Sequence, residues 1–228
     1  TSPIELNATD LLEQQMKLVK GWQWKSLFVK PEKMTVESVF KPVLAKTSTV
    51  KNQNRYAVMQ NGKVLGSLKD MSVTTMYRVN MTDSATLHIT GNKLNPQDEP
   101  ITLDKGWNWL GYTPGFSASP AYALASASPQ NGDIIKSQRG FAYYQDYDWI
   151  GTLTAMEPGE GYMYKAAANR TFYYPSVAPQ HLDKAPRFIS TVDSVWHFGQ
   201  PDYHAYPNTM TVTSKIIKDG QEVHGADV

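Results

Sequence analysis

The chain has 228 residues, of which 22 are Lys or Arg and 21 are Asp or Glu, so the formal net charge is only +1. A nearly neutral chain lacks the positive field that gathers nucleic acid or anionic lipid, which argues against both as main partners. The absence of cysteine excludes disulfides, thiolate metal sites and thiol nucleophiles. No apolar run is long enough for a transmembrane helix, and the start at Thr1 without an apolar segment suggests a mature or excised piece.

Residues 1–17 form a predicted lead-in segment. It is polar at first and then carries Leu11, Leu12 and Met16. This spacing fits one or two helical turns behind a cap at Asn7 or Thr9.

Residues 18–94 form the first of two predicted modules. Trp22, Trp24 and Phe28 alternate with polar residues, as in a half-buried strand. Residues 35–46 have helical spacing, although Pro42 should end or bend the helix. The turn Asn61-Gly62 predicts a hairpin of residues 55–59 and 63–68, and residues 76–81 and 86–90 predict two more strands joined at 82–84.

Residues 103–178 repeat this pattern after a linker, residues 95–102. The phrase Leu-Asp-Lys-Gly-Trp-Asn-Trp-Leu-Gly-Tyr (103–112) matches Leu-Val-Lys-Gly-Trp-Gln-Trp-Lys-Ser-Leu (18–27) at an offset of 107 − 22 = 85. The same offset relates further identical residues without a gap, among them Lys51 and Lys136, Gln53 and Gln138, Gly66 and Gly151, Met71 and Met156, and Tyr77 and Tyr162. A constant offset predicts two copies of one structural unit with the same fold.

The second module carries its own turn signals. Ser119-Pro120 is typical of a helix start, and residues 141–144 and 149–153 form the second predicted hairpin. A turn at 158–161 precedes a strand at 162–165. Gly66 and Gly151 lie inside predicted strands, where glycine costs stability, so a bulge or a close packing partner is expected at each. The two Trp pairs, Trp22/Trp24 and Trp107/Trp109, are expected to pack in the hydrophobic cores.

Residues 179–228 do not match the repeat and are interpreted as a linker and the start of a further domain. This domain is expected to be β-sandwich-like because residues 206–212 (Tyr-Pro-Asn-Thr-Met-Thr-Val) resemble the opening strand of a β-sandwich. Residues 209–217 alternate, and Asp219-Gly220 turns the chain into residues 221–223. A single hairpin is marginal in water, so this tail must be covered. It could lie on the second module, pair with another copy of the chain into a dimer, or continue into a further domain, which we favour.

The second module also resembles a known type of protein. Its phrases Lys-Gly-Trp-Asn-Trp-Leu-Gly-Tyr (105–112), Gly-Asp-Ile-Ile-Lys-Ser-Gln (132–138), Trp-Ile-Gly-Thr-Leu (149–153) and Pro-Gly-Glu-Gly-Tyr-Met-Tyr-Lys (158–165) are similar to a tandem module in large secreted proteins of Bacteroides-type gut bacteria. The resemblance implies an extracellular or cell-surface location. It also implies other domains of a parent surface protein as partners, but no catalytic residues.

Two short sequences fit that setting. Asp83-Ser84-Ala85 and Asp193-Ser194-Val195 are similar to the sequence at which such bacteria attach O-glycans. The Asn-x-Thr sequons carry no weight if the protein is bacterial, as the resemblance implies.

Catalytic and metal-binding signals are weak. A glycosidase needs two facing carboxylates, and Glu157 with Glu160, or Asp146 with Asp148, are the obvious pairs. Glu157 and Glu160 flank a turn, however, and the corresponding first-module residues are Ser72 and Thr75. None of the five histidines has the spacing of a zinc motif, so no metal and no cofactor is expected.

Aromatic residues are the strongest binding signal, with fifteen in residues 101–175 against six in residues 18–94. Most of the surplus exchanges one large apolar residue for another on a strand. Tyr147 instead replaces Gly62 at a hairpin tip, and Tyr173 replaces His88. Tyr147 beside Trp149 could stack on a sugar ring, with ordinary packing as the alternative. Tyr147, Trp149 and Tyr173 are therefore the candidate ligand-binding residues.

The sequence thus predicts a mainly β protein with two tandem modules of four to five strands and one short helix each, followed by a strand-rich tail. The predicted role is that of a non-catalytic extracellular spacer or binding module of a larger surface protein, with glycans as candidate ligands. The alternative is a glycan-active hydrolase with its site on the aromatic-rich second module.

Overall fold

The computed structural model describes residues 11–180, together with the strand residues 217–218 and 221–222 of the tail. The chain divides into two compact units, Thr1–Phe188 and Ile189–Val228. The predicted mainly β class is confirmed, because strands dominate the described residues and all their pairings are antiparallel.

The first half of the larger unit, residues 11–100, contains eight strands and one short α-helix. The strands are β1 (Leu11–Leu18), β2 (Gly21–Lys25), β3 (Val29–Lys30), β4 (Thr47–Lys51), β5 (Tyr56–Gln60), β6 (Lys63–Gly66), β7 (Tyr77–Met81) and β8 (Ala85–Lys93). The helix α1 (Val36–Phe40) is capped by the Thr35 side chain and continues as the 3-10 helix Lys41–Lys46, which contains Pro42.

The second half, residues 101–180, contains seven strands and a second short helix. The strands are β9 (Ile101–Leu103), β10 (Gly106–Gly111), β11 (Ile134–Lys136), β12 (Phe141–Gln145), β13 (Asp148–Gly151), β14 (Gly161–Ala166) and β15 (Arg170–Phe172). The helix α2 (Pro120–Ala123) has Ser119 as its cap and Pro120 in its first turn, as the sequence predicts.

Each half is built on a five-stranded sheet. Sheet 1 has the order β2-β7-β4-β5-β6, and sheet 2 has the order β10-β14-β11-β12-β13. The register also corresponds, since Trp24 lies opposite Arg78 in sheet 1 and Trp109 lies opposite Met163 in sheet 2, both 85 positions later. The two sheets thus share one strand order, while the two-module repeat itself stays a prediction.

Each sheet buries one face against its own helix. In β7 the side chains of Tyr77, Val79 and Met81 are buried and the two residues between them are not, which is the period of a half-buried strand. The buried residues form two separate hydrophobic cores, one in each half. The opposite face of each sheet therefore points away from its core.

The segment before sheet 1 is a strand, so the predicted helical turns are wrong for residues 11–17. Gln14, Met16 and Leu18 are buried at every second position, and β1 pairs with β8 along its whole length. Leu12 and Met16 are four residues apart, a spacing that fits both the period of a helix and the period of a strand. The pairing with β8 shows that this segment is a strand. The lead-in is thus an integral part of the first half.

Three other boundaries differ from the prediction. The sequence reading missed β4 and β11, the central strands of the two sheets, because each is short and shows little alternation. The predicted linker 95–102 contains the 3-10 helix Pro96–Asp98 and the first residues of β9. Of the predicted tail hairpin, Ile217–Lys218 pairs with Gln221–Glu222, and the rest of the tail lies outside the described residues.

The predicted hairpins are confirmed, and their turns share one backbone geometry. Asn61 and Gly62 have φ angles of 50° and 72°, and Asp146 and Tyr147 have φ angles of 51° and 66°. Two successive residues with positive φ match the twist of the flanking strands. Tyr147 therefore sits at the hairpin tip in a conformation that few non-glycine residues adopt.

The expected close partner is confirmed at both strand glycines. Gly66 and Gly151 have φ angles of 125° and 152°. A Cβ atom would lie 2.4 Å from the Tyr56 carbonyl oxygen at Gly66, and 2.2 Å from the Phe141 carbonyl oxygen at Gly151. Neither glycine can be replaced without moving the neighbouring strand.

We predict that Gly151→Ala lowers the free energy of unfolding by about 3 kcal/mol, because both the backbone strain and the clash with a strand carbonyl must be relieved. Gly115→Ala is the matched control, since a Cβ there meets only the Phe28 ring at 3.9 Å. Chemical denaturation of both variants checks this. Equal stability of the two would contradict the proposed close approach.

Candidate binding surface at the junction of the two halves

The four tryptophans of the repeated phrases lie on the outer faces of the sheets, so the expectation that they serve the cores is wrong. In β2 the residue between the tryptophans, Gln23, is buried, and in β10 it is Asn108. Gln23 bonds to the backbone N–H and C=O of Val19, and Asn108 bonds in the same way to Asp104. Since neighbouring strand residues point to opposite faces, these inward amides place the indoles outward.

The first and second halves are joined by two reciprocal glutamine contacts. The Gln138 side chain donates to the Trp22 carbonyl at 2.9 Å and accepts from the Trp24 N–H at 3.1 Å. The Gln53 side chain donates to the Trp107 carbonyl at 2.9 Å and accepts from the Trp109 N–H at 3.0 Å. Each glutamine thus satisfies the backbone at the edge of the other half's sheet. The two contacts are related by the 85-residue offset.

Two loops, residues 72–75 of the first half and residues 157–160 of the second, each bond to the other half. The Ser26 N–H donates to the Gly159 carbonyl at 2.8 Å, and the Gly111 N–H donates to the Thr74 carbonyl at 2.9 Å. The Ser26 hydroxyl also donates to the Glu160 carbonyl at 2.7 Å and accepts from the Tyr112 N–H. Both edge strands, β2 and β10, are therefore covered by the other half.

Each of these loops is held by a buried tyrosine. The Tyr77 hydroxyl accepts the Ser72 N–H, and the Tyr162 hydroxyl accepts the Glu157 N–H, both at 2.6 Å. Burial raises the pKa of Tyr77 to about 12 and raises the pKa of Tyr162 well above its ordinary value. Both tyrosines are therefore neutral in the folded protein at neutral pH.

We predict that the protein loses stability as the pH rises from about 10, where tyrosine ionises in the unfolded chain, towards about 12. A raised folded-state pKa means that the stabilising contribution is complete below the unfolded-state pKa and is lost above it. The loss is about 1.4 kcal/mol per pH unit for each such tyrosine.

Denaturation midpoints across this pH range measure the slope. Tyr77→Phe should flatten it, and Tyr56→Phe, which changes an exposed tyrosine of sheet 1, should not. An unchanged slope in Tyr77→Phe would contradict the assignment.

Three of the four indoles surround one guanidinium. The Arg78 Cζ atom lies 5.6 Å from the ring centroid of Trp22, 5.9 Å from that of Trp24 and 5.9 Å from that of Trp109. Through a cation–π contact, Trp109 of the second half thus packs against Arg78 on β7 of the first half. The outer faces of the two sheets therefore meet at Arg78.

The first tryptophan of each pair, Trp22 and Trp107, contacts a lysine. The Lys51 ammonium lies 5.2 Å from the Trp22 ring, and the Lys136 ammonium lies 5.2 Å from the Trp107 ring. Trp22 is 40% exposed and Trp107 is 37% exposed. We call Trp22, Trp24, Trp107, Trp109 and the three cations Lys51, Arg78 and Lys136 the tryptophan surface.

This surface continues outward along both sheets. Tyr56 and Leu65 in sheet 1 and Phe141 in sheet 2 are large apolar side chains exposed on the same faces as the tryptophans. Monomeric proteins rarely expose large contiguous apolar patches without a binding role.

The predicted ligand-binding residues are not brought together as expected. Trp149 is 1% exposed and packs against the Tyr144 and Tyr164 rings, so it offers no face to a ligand and its assignment is wrong. Tyr147 is 95% exposed at its hairpin tip, and Tyr173 is half exposed on the chain after β15. A binding role for these two stays a prediction.

The candidate carboxylate pairs of the hydrolase alternative have other partners. Glu160 forms an ion pair with Lys25, and Glu157 accepts a hydrogen bond from Ser117. Asp148 accepts from the backbone N–H of Trp149. A surface pocket of about 450 Å³ beside the Asn61-Gly62 turn has no carboxylate in its lining. Glu157, Glu160 and Asp148 thus have local partners, and the hydrolase alternative stays a prediction.

One buried carboxylate belongs to the second core. Asp133 is fully buried and accepts from the Tyr164 hydroxyl, the Ala167 N–H and the Arg170 guanidinium. Its counterpart in the first half is Ser48, so this network stabilises only the second half. All its partners are internal, which makes it a structural feature.

The described residues give no support for a metal site. Between residues 11 and 180, no group of three His, Asp or Glu side chains could hold a metal ion. His88 contacts Glu13 at 2.7 Å on an exposed face, and the other four histidines lie outside the described residues. In the same part of the chain, no helix has the length and apolarity needed to span a bilayer.

Sequence reasoning missed Gln53, Gln138 and Arg78. The two glutamines did carry a signal, because they are identical polar residues at the same position of the two sequence repeats. Arg78 carried none, since its counterpart is Met163.

No family model, no curated protein and no solved structure matches this chain. The role of the tryptophan surface is therefore inferred from its own chemistry.

Proposed function

We propose that this chain is a non-catalytic part of a larger secreted or cell-surface protein, in which two copies of one unit dock into a rigid body that binds glycans. The observation that carries the proposal is the convergence of Trp22, Trp24 and Trp109 on Arg78 across the junction. Flat indole faces stack on the apolar faces of sugar rings, and tryptophan provides large contact area at low entropic cost.

The docking of the halves supports a rigid binding surface. Four hydrogen bonds of Gln53 and Gln138 and two backbone hydrogen bonds of the docked loops fix the distance between the tryptophan pairs. A surface that is ordered before the ligand arrives loses little entropy on binding. The same rigidity suits a spacer between other domains of a parent protein, and both roles are compatible.

One exposed turn supports the proposed extracellular location. Ser84 of the Asp83-Ser84-Ala85 sequence lies in the exposed turn between β7 and β8, where the Asp83 carboxylate accepts from the Ser84 N–H. Ser84 is exposed, so a glycan could reach its side chain. Asp193-Ser194-Val195 lies outside the described residues.

A glycan array with the whole chain tests the binding proposal. We predict that the chain binds at least one glycan class and that Trp22→Ala with Trp107→Ala weakens binding by about tenfold or more, because stacked aromatic residues dominate such contacts. Tyr147→Ala is the control, since this aromatic residue is even more exposed but lies at the hairpin tip between β12 and β13, not on β2 or β10.

Two results would contradict the proposal. Loss of binding in Tyr147→Ala alone would move the site to the hairpin tip, and release of reducing ends from a bound glycan would favour the hydrolase alternative. Thermal melting of each variant separates lost binding from lost folding.

A further inference from the structure

The outer faces of the two sheets carry a strong excess of positive charge. Outward-facing strand positions hold five basic side chains and one carboxylate, Asp148. The five are Lys51, Lys63, Arg78, Lys136 and Lys165. The chain as a whole is nearly neutral, so this face is an exception.

None of these five cations is neutralised by a described carboxylate. The ion pairs of residues 11–180 involve Lys25, Lys30, Lys46, His88 and Arg170 instead. The Arg78 Nε atom is buried and has no hydrogen-bond partner among the described residues. An apolar face with unpaired cations is complementary to a partner that is both apolar and anionic.

The pairing of one ring with one cation occurs twice. Lys51 with Trp22, and Lys136 with Trp107, place an ammonium 5.2 Å from an exposed indole in each half. A uronic acid has the matching chemistry within one sugar residue, since its ring carries C–H groups that stack and a carboxylate that accepts from an ammonium. A polymer of such residues repeats both features.

We propose that the tryptophan surface binds a polysaccharide rich in uronic acids. This inference rests on the proposed function and names the ligand class of the same surface. The indoles stack on sugar rings, while Lys51 and Lys136 swing from the indole faces to the sugar carboxylates. A cation–π contact at an exposed site is weak, so it exchanges readily for a stacked sugar and an ion pair.

The guanidinium of Arg78 favours a carboxylate as the bound anion. Its planar guanidinium lies where the two halves meet, and a guanidinium matches a carboxylate with two parallel hydrogen bonds. The centre of the surface is therefore suited to a planar carboxylate.

Binding to polygalacturonate tests the inference, with its fully methyl-esterified form as the neutral control of the same backbone and dextran sulfate as a polyanion without carboxylates. Affinity electrophoresis of the whole chain should show retardation by polygalacturonate that is at least tenfold stronger than by the other two. The retardation should weaken with added salt, because ion pairs are screened.

The variants Lys51→Ala and Lys136→Ala should each weaken binding to polygalacturonate about tenfold, since each removes one charged hydrogen bond. Lys17→Ala is the matched control, because Lys17 is an exposed lysine on β1, outside both five-stranded sheets. These lysines are exposed or half-buried, so folding should be unaffected.

The outcomes separate this inference from the proposed function. Equal binding of the esterified and acidic polymers would overturn the uronate assignment and leave glycan binding in place. Equal or stronger binding of dextran sulfate would show that charge alone is recognised, which also overturns it. Self-association through this face, seen as a dimer that the lysine variants dissolve, would assign the surface to a second copy of the chain.

Discussion

The structure depends on how the edges of its two five-stranded sheets at β2 and β10 are covered. β2 and β10 are edge strands, and a free edge exposes backbone groups that would pair with any other strand. Here each edge is covered by the other half. The Gln138 side chain bonds to the backbone of β2, and the Gln53 side chain bonds to the backbone of β10, where a neighbouring strand would otherwise pair. Because both halves give and receive the same contact, neither edge is satisfied unless the two are docked.

The docking also explains why tryptophans are exposed. Strand alternation turns Gln23 and Asn108 inward and leaves the indoles on the outer face, where the junction brings three of them onto Arg78. Exposed indoles cost solubility. Exposed indoles beside cations that no described carboxylate neutralises are the basis of the binding proposal.

Much of the fold could be predicted from local signals, and most of the candidate site could not. Asn61-Gly62 and Ser119-Pro120 act through neighbouring backbone atoms, so the sequence reading located the hairpin and the helix start correctly. Trp149 was misassigned because alternation alone does not say which face of a strand meets the core. The Arg78 cluster joins residues from three strands in two halves, and no spacing along one chain reveals such a contact.

Hydrogen exchange at the backbone amides of Trp24 and Trp109, followed by NMR, tests the reciprocal docking most directly. The account predicts that Gln138→Ala speeds exchange at Trp24 by a factor of roughly five to ten and leaves Trp109 unchanged, whereas Gln53→Ala does the reverse. Equal protection of both amides in both variants would contradict it, because the glutamines would then not cover the sheet edges.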